Sequence, residues 1–178
     1  VIKDLFNQSE LSLPTLPSGD LRGVNFSDDS KSMVFYINSD TSPSNLYVHT
    51  LGTNSIKRLT NSGNPNIKEQ NLVTGEVVRF KSFDGLEIPA ILYKPKQASV
   101  NKVPALVFIH GGPGGQSRKG YSAMIQHLVN NGYAIMMINN RGSSGYGKTF
   151  FHLDDKRHGE DDLQDVVFNK KYLQTLDW

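Results

Sequence analysis

VPALVFIHGGPGG, residues 103–115, is the stretch on which the fold turns. A run of apolar residues ends abruptly in His110 and is followed by Gly111, Gly112, Pro113, Gly114 and Gly115. Apolar runs of this length, bounded by turn residues, mark buried strands, typically of a parallel sheet. Val103–Ile109 is therefore expected to be a buried strand. Glycines directly after such a strand let the backbone approach a small group and turn N–H donors toward it. Two chemistries use that arrangement: phosphate binding, and stabilisation of an oxyanion during acyl transfer.

Working outward toward the C-terminus, 121–130 predicts a helix with Met124, Ile125, Leu128 and Val129 on one face. Asn131-Gly132 is its stop signal. Ala134–Ile138 (AIMMI) predicts a second buried strand, and 139–147 a loop rich in Gly and Ser. Residues 160–176 predict an amphipathic helix with Leu163, Val166, Val167, Leu173 and Leu176 inward. Toward the N-terminus, 76–82 and 86–93 flank Phe83-Asp84-Gly85, and Asp-Gly between alternating runs predicts a hairpin. Strand, helix, strand, loop and helix after a hairpin open an α/β sheet.

The texture changes before residue 75. Residues 61–74 are polar, with Gly63 and Pro65, and predict a domain boundary. Ahead of it, 21–26, 32–38, 45–50 and 55–59 predict short strands, with 39–44 and its Pro43 as a turn. Four short strands in this space match the size of one propeller blade, and residues 1–20 could end a preceding one. A small independent meander is the alternative. The expected architecture is mixed: residues 1–72 an all-β unit, 73–178 the beginning of an α/β domain.

Composition limits the function. Of 178 residues, 19 are basic and 17 acidic, and the net charge of +2 is too mild to imply nucleic acid or an anionic membrane as partner. No run reaches the roughly 18 apolar residues of a membrane helix. The absence of cysteine excludes disulfides and thiolate metal sites but leaves the compartment open. No leader peptide is visible, which slightly favours the cytoplasm, yet the first residue is Val1, so the natural start is expected to lie upstream.

Gly142–Thr149 (GSSGYGKT) formally matches the G-x-x-x-x-G-K-[ST] phosphate loop, with Lys148 as its cation. Against it, Phe150 soon gives way to the polar run Asp154-Asp155-Lys156-Arg157-His158-Gly159, where that motif needs a long helix. His110-Gly111-Gly112-Pro113 after an apolar strand fits an oxyanion loop instead.

FKSFDGLEIPAILYKP, VPALVFIHGGPGGQ, NNRGSSGYGKTF, GEDDLQDV and LDW, in that order, resemble the prolyl oligopeptidase family of serine peptidases. The similarity points to its acylaminoacyl-peptidase and dipeptidyl-peptidase-like branch and covers about residues 20–178. It implies an N-terminal β-propeller, of which FSDDSKSMVFYINS and NLYVHTL would be the last blade, followed by an α/β-hydrolase domain. By this resemblance Gly112, with Gly111 beside it, supplies a backbone N–H to the oxyanion hole. His110 stands where some relatives have a tyrosine donor. The RGSSGYG run becomes a loop after a core strand rather than a nucleotide site.

The resemblance places the nucleophile in a G-x-S-x-G, and none occurs in these residues. Ser, Asp and His of the triad are thus expected beyond Trp178, and the chain alone is expected to be inactive and to fold poorly. His127, His152 and His158 are read as surface or structural, and His152, Asp154, Asp155 and His158 lack any recognised metal-ligand spacing. No cofactor and no metal are expected; the expected partner is a short peptide substrate. Arg141 is expected to order its loop, pairing with Glu160 or Asp162. An esterase of the same fold, a P-loop nucleotide binder using Gly142–Thr149 and a non-catalytic binding module are the alternatives.

Overall fold

The computed structural model describes residues 2–112 and 114–178; Val1, and Pro113 of the glycine-rich turn, lie outside the described residues. Two compact units separate, one of residues up to Asn71 with Gly120–Ser122, the other of Leu72–Lys119 with Ala123–Trp178.

The first unit holds β1 (Ile2–Lys3) and β2 (Glu10–Leu11), an antiparallel pair, and then β3 (Asp20–Phe26), β4 (Ser32–Ser39), β5 (Ser42–Thr50) and β6 (Ile56–Arg58). The last four form an antiparallel meander in chain order. β4 and β5 alternate, so Met33, Phe35, Ile37 and Tyr47 share the buried face. Phe35 is fully buried, with its ring stacked on Tyr47 at 6.0 Å. Burial of such a side chain contributes roughly 1.5–3 kcal/mol. Asn45, also fully buried, is satisfied on both ends of its amide. It donates to Ser42 Oγ and the Pro43 carbonyl and accepts from Thr60 Oγ1 and the Ser62 N–H.

Two sequence expectations change here. The turn between β4 and β5 is only Asp40-Thr41, and Pro43 lies inside β5. The β4–β5 register is irregular between Ile37 and Ser39, and such an irregularity accommodates a residue that cannot donate to the ladder. β1 and β2 went unread because two-residue strands leave no periodicity.

The second unit is built on β7 (Glu76–Lys81), β8 (Glu87–Tyr93), β9 (Ala105–Ile109) and β10 (Ala134–Ile138), in the order β7-β8-β10-β9. β7 and β8 form the hairpin expected from Asp84-Gly85; β10 is antiparallel to β8 and parallel to β9. The helices are α1 (Ala123–Asn130), the four-residue α2 (Lys148–Phe151) and α3 (Asp161–Gln174). The sheet has a core on each face. Ile88, Ala90, Leu92, Met136 and Ile138 pack with Val166, Tyr172 and Leu173 of α3. Ile91, Tyr93 and Ile135 pack with Ile125 and Val129 of α1. The two-residue period of β8 and β10 sorts their apolar side chains between these cores.

β9 departs from its expectation of burial. Leu106, Phe108 and Ile109 are 41%, 40% and 52% exposed. The strand lies at the sheet edge with β10 on one side only, so its apolar composition is not matched by cover. The inward face of α3 also differs. Leu163 and Val167 are exposed, whereas Asp162, Asp165 and Asn169 are buried.

Candidate active site

The carboxyl ends of β9 and β10 carry the residues singled out above. His110, Gly111 and Gly112 follow β9; Asn139, Asn140 and Arg141 follow β10. A cavity of about 420 Å³ opens beside them, lined among others by His110, Gly111, Gly112, Asn140, His158 and Asp162. The open ends of parallel strands are where α/β sheets place their ligands.

The turn after β9 has a defined orientation. The Gly111 carbonyl faces inward: it lies 3.2 Å from His110 Nδ1, and a Cβ added at Gly115 would come within 2.5 Å of it. C=O and N–H of one trans peptide point in opposite directions. The Gly112 N–H is therefore turned away from His110 and Gly115. Gly112 has φ +117°, a conformation that side chains disfavour, and an added Cβ would sit 3.2 Å from the Gly115 nitrogen. His110 holds this turn to the neighbouring loop, its Nε2 lying 2.9 Å from Ser143 Oγ. Ser143 Oγ donates to the Asn140 carbonyl at 2.6 Å, so the imidazole N–H donates to Ser143. Asn139 joins a third segment. It accepts from the Ser117 N–H at 2.7 Å and donates to the Ser117 carbonyl and Tyr146 Oη.

Arg141 is buried, 4% exposed, and its partners are neither Glu160 nor Asp162. Its guanidinium grips Asp165 with Nε 3.0 Å from Oδ2 and Nη2 2.9 Å from Oδ1, while its own N–H donates to Oδ2 at 2.9 Å. The outer edge bonds Asp84 through Nη1 and Nη2 at 3.0 and 3.1 Å, and Asp161 lies at 3.7 Å. The Phe83 ring stacks 4.7 Å from the guanidinium carbon, and Ser82 Oγ donates to Asp165 at 2.5 Å. One arginine thus ties the β7–β8 hairpin turn, the loop after β10 and α3 together. Asp162 faces away from it, accepting from the Gly159 and Leu163 N–H groups and pairing with His158 Nδ1 at 2.8 Å.

The electrostatics follow. Burial would pull the Arg141 guanidinium down, but its bonds to Asp165 and Asp84 outweigh that and push it up. The hydrogen bond from Arg141 holds the Asp84 carboxyl below the usual carboxylate range. A carboxyl depressed in the folded state contributes stability above its unfolded pKa, and that contribution is lost as pH falls. The difference in stability between the protein and its Asp84→Asn variant should therefore be full at pH 7 and smaller at about pH 3, below the ordinary carboxylate value. Denaturant melts at both pH values measure it; a difference that grows on acidification would contradict the pairing.

The loop Gly142–Thr149 is closed around protein groups. The Gly142 N–H donates to the Phe150 carbonyl, Ser143 N–H to Asn140 and Ser144 N–H to Gly115. A Cβ at Gly142 would lie 2.2 Å from the Asp154 side chain, so a carboxylate already fills the space beside that turn. Lys148 begins only the short α2. His127, His152 and His158 are all exposed, His152 pairing with Asp155 at 2.7 Å. Among the described residues no group of three or more His, Asp or Glu is arranged to hold a metal ion.

Sequence reasoning missed Asp84, which was read only as a turn former, and Asp165, Asn139 and Ser143. Nothing in hydrophobic periodicity marks a buried polar residue. The one available signal was Asp165 itself, a carboxylate one turn after Asp161 in a helix that packs on a sheet.

The prolyl oligopeptidase family model matches residues 119–178, a segment that holds the Arg141 loop and α3. Over 151 residues the chain is 30% identical to dipeptidyl aminopeptidase BIII of Pseudoxanthomonas mexicana, covering 78% of this chain and 22% of that protein. It is 29% identical over 175 residues to dipeptidyl peptidase family member 6 of Caenorhabditis elegans, covering 85% and 24%. The crystal structure of Pyrococcus horikoshii acylaminoacyl peptidase superposes with a TM-score of 0.71 at 27% identity, covering 94% of this chain and 26% of that one. The chain thus spans about a quarter of the length of the relatives it matches.

Proposed function

We propose that the protein containing this chain is a serine peptidase acting on short peptides, and that these residues supply its oxyanion loop. What supports the reading is the placement of Gly112 at the end of β9, on a turn that His110 joins to Ser143 and that borders the cavity. A preorganised backbone donor at the end of a core strand stabilises the charge that grows on an attacked carbonyl. Family and relatives support the same class of chemistry.

In this reading the meander β3–β6 is the last blade of a β-propeller, and residues from 73 onward open an α/β-hydrolase domain. The apolar, exposed β9 then gains a further strand in the intact protein. The nucleophile, acid and base come from chain outside these 178 residues, since the sequence holds no G-x-S-x-G. A nucleotide site finds no support in a loop whose Gly142, Ser143 and Ser144 amides bond protein carbonyls and whose neighbour is a carboxylate.

The test is covalent labelling with a fluorophosphonate, which reacts with an activated serine. The intact protein should label and hydrolyse peptide substrates, and residues 1–178 alone should do neither. An intact protein that fails to label, or a labelled 178-residue chain, would overturn the assignment.

A further inference from the structure

An exposed cation, Arg118, stands on the strap of chain that follows the glycine turn. Gly115 folds back toward Gly112, since a Cβ built at Gly112 would lie 3.2 Å from the Gly115 nitrogen. Only three residues separate Gly115 from Arg118, and three residues span at most about 11 Å, so the arginine is rooted within that distance of the turn. The strap is fixed at two points. The Gly115 carbonyl accepts the Ser144 N–H at 2.9 Å. Ser117 is buried, its N–H and its carbonyl both bonded to the Asn139 amide, at 2.7 and 3.0 Å. The arginine is itself preset. Its Nε donates to Gln116 Oε1 at 2.7 Å, and the Gln116 amide packs so closely on Gly145 that a Cβ there would collide with it. With Nε engaged, the outer edge of the guanidinium, Nη1 and Nη2, remains, and among the described residues no carboxylate pairs with it. That edge is the one whose two parallel N–H donors match a carboxylate.

We infer that Arg118 is a specificity-determining residue that binds the C-terminal carboxylate of the peptide on the leaving side of the scissile bond. This rests on the peptidase reading above. Charge decides which end of a short peptide it takes. The acyl side ends in an ammonium, which a guanidinium repels; the leaving side ends in a carboxylate, which it pairs with. Distance sets the length. An extended peptide advances about 3.3 Å per residue, so a leaving part of a few residues bridges the span from the Gly112 turn to Arg118. The substrate class follows: peptides with a short leaving part and a free C-terminal carboxylate are favoured over the same peptides with that charge removed.

The experiment compares two peptide substrates in the intact protein, each with two residues after the cleaved bond and identical except that one ends in a free carboxylate and the other in a carboxamide. At low salt the wild type should favour the free acid by about fivefold in kcat/KM, the scale of a charge pair at an exposed guanidinium. The preference should lie mainly in KM, because the carboxylate is remote from the reacting carbonyl, and it should shrink as salt is added. Arg118→Ala should bring the ratio toward one, Arg118→Lys should keep part of it, and Arg118→Glu should reverse it. A purely structural role would lower both rates and leave the ratio unchanged, and the comparison of ratios removes any effect of the carboxamide that does not pass through Arg118. An unchanged ratio in Arg118→Ala, or a wild type that does not discriminate, overturns the inference while the peptidase reading stands. A wild type that cleaves neither substrate and is not labelled by fluorophosphonate overturns both.

Discussion

Arg141→Ala in the intact protein is expected to cost about 3–5 kcal/mol of stability, the scale for removing one partner of a buried ion pair. Asp165 is fully buried, and Arg141 supplies most of its bonds. Without the guanidinium, Asp165 keeps only the Arg141 main-chain N–H and Ser82 Oγ, which cannot balance a full charge. The loss should reach activity as well, because the arginine anchors the loop whose Ser143 holds His110. Arg141→Lys should recover little. A lysine cannot bond Asp165 and Asp84 in two bidentate pairs, nor lie flat on Phe83. Thermal or denaturant unfolding checks both variants, and melting points within a degree of wild type would sink the ordering role.

Gly112→Val is expected to lower kcat on the order of 10²-fold or more, with a smaller change in KM. Loss of one well-placed oxyanion donor costs roughly 10²–10³ in kcat. Valine keeps the N–H but does not keep φ +117°, and its Cβ crowds the Gly115 nitrogen. The turn must then rotate, and the Gly112 N–H with it. A kcat effect marks a group that acts in the transition state rather than in substrate binding. Gly111→Ala is the internal comparison: an added Cβ there meets open space, so its effect should be much smaller. Equal losses in the two variants would contradict a specific role for the Gly112 N–H.

The parts of the fold that repeat were the parts legible in the sequence. β4, β8 and β10 announce themselves by apolar or alternating runs, and the β7–β8 hairpin by Asp84-Gly85. Location in the sheet was not legible. VPALVFI has the composition of an interior parallel strand, yet β9 stands at an edge, since composition reports what a strand needs and not which neighbours it has. α3 shows the opposite limit. Its pattern assigned Leu163 and Val167 inward, but the helix turns Asp162, Asp165 and Asn169 toward the protein because Asp165 must meet Arg141. A pattern that scores only hydrophobicity cannot see a face selected by charge. At the candidate site, His110, Gly111, Gly112 and Arg141 were legible because glycines after a strand and an arginine after a core strand are unusual. Asp84, Ser143 and Asn140 were not, being residue types common to every loop.

In the intact protein the Gly112 N–H should meet the oxyanion. The direct measurement is a crystal structure of the intact protein carrying a phosphonate or peptide boronate on its nucleophile. The account predicts one adduct oxygen 2.7–3.1 Å from the Gly112 nitrogen, the range for a charge-assisted hydrogen bond. An adduct whose oxygens meet other donors, with the Gly112 N–H turned elsewhere, would contradict it.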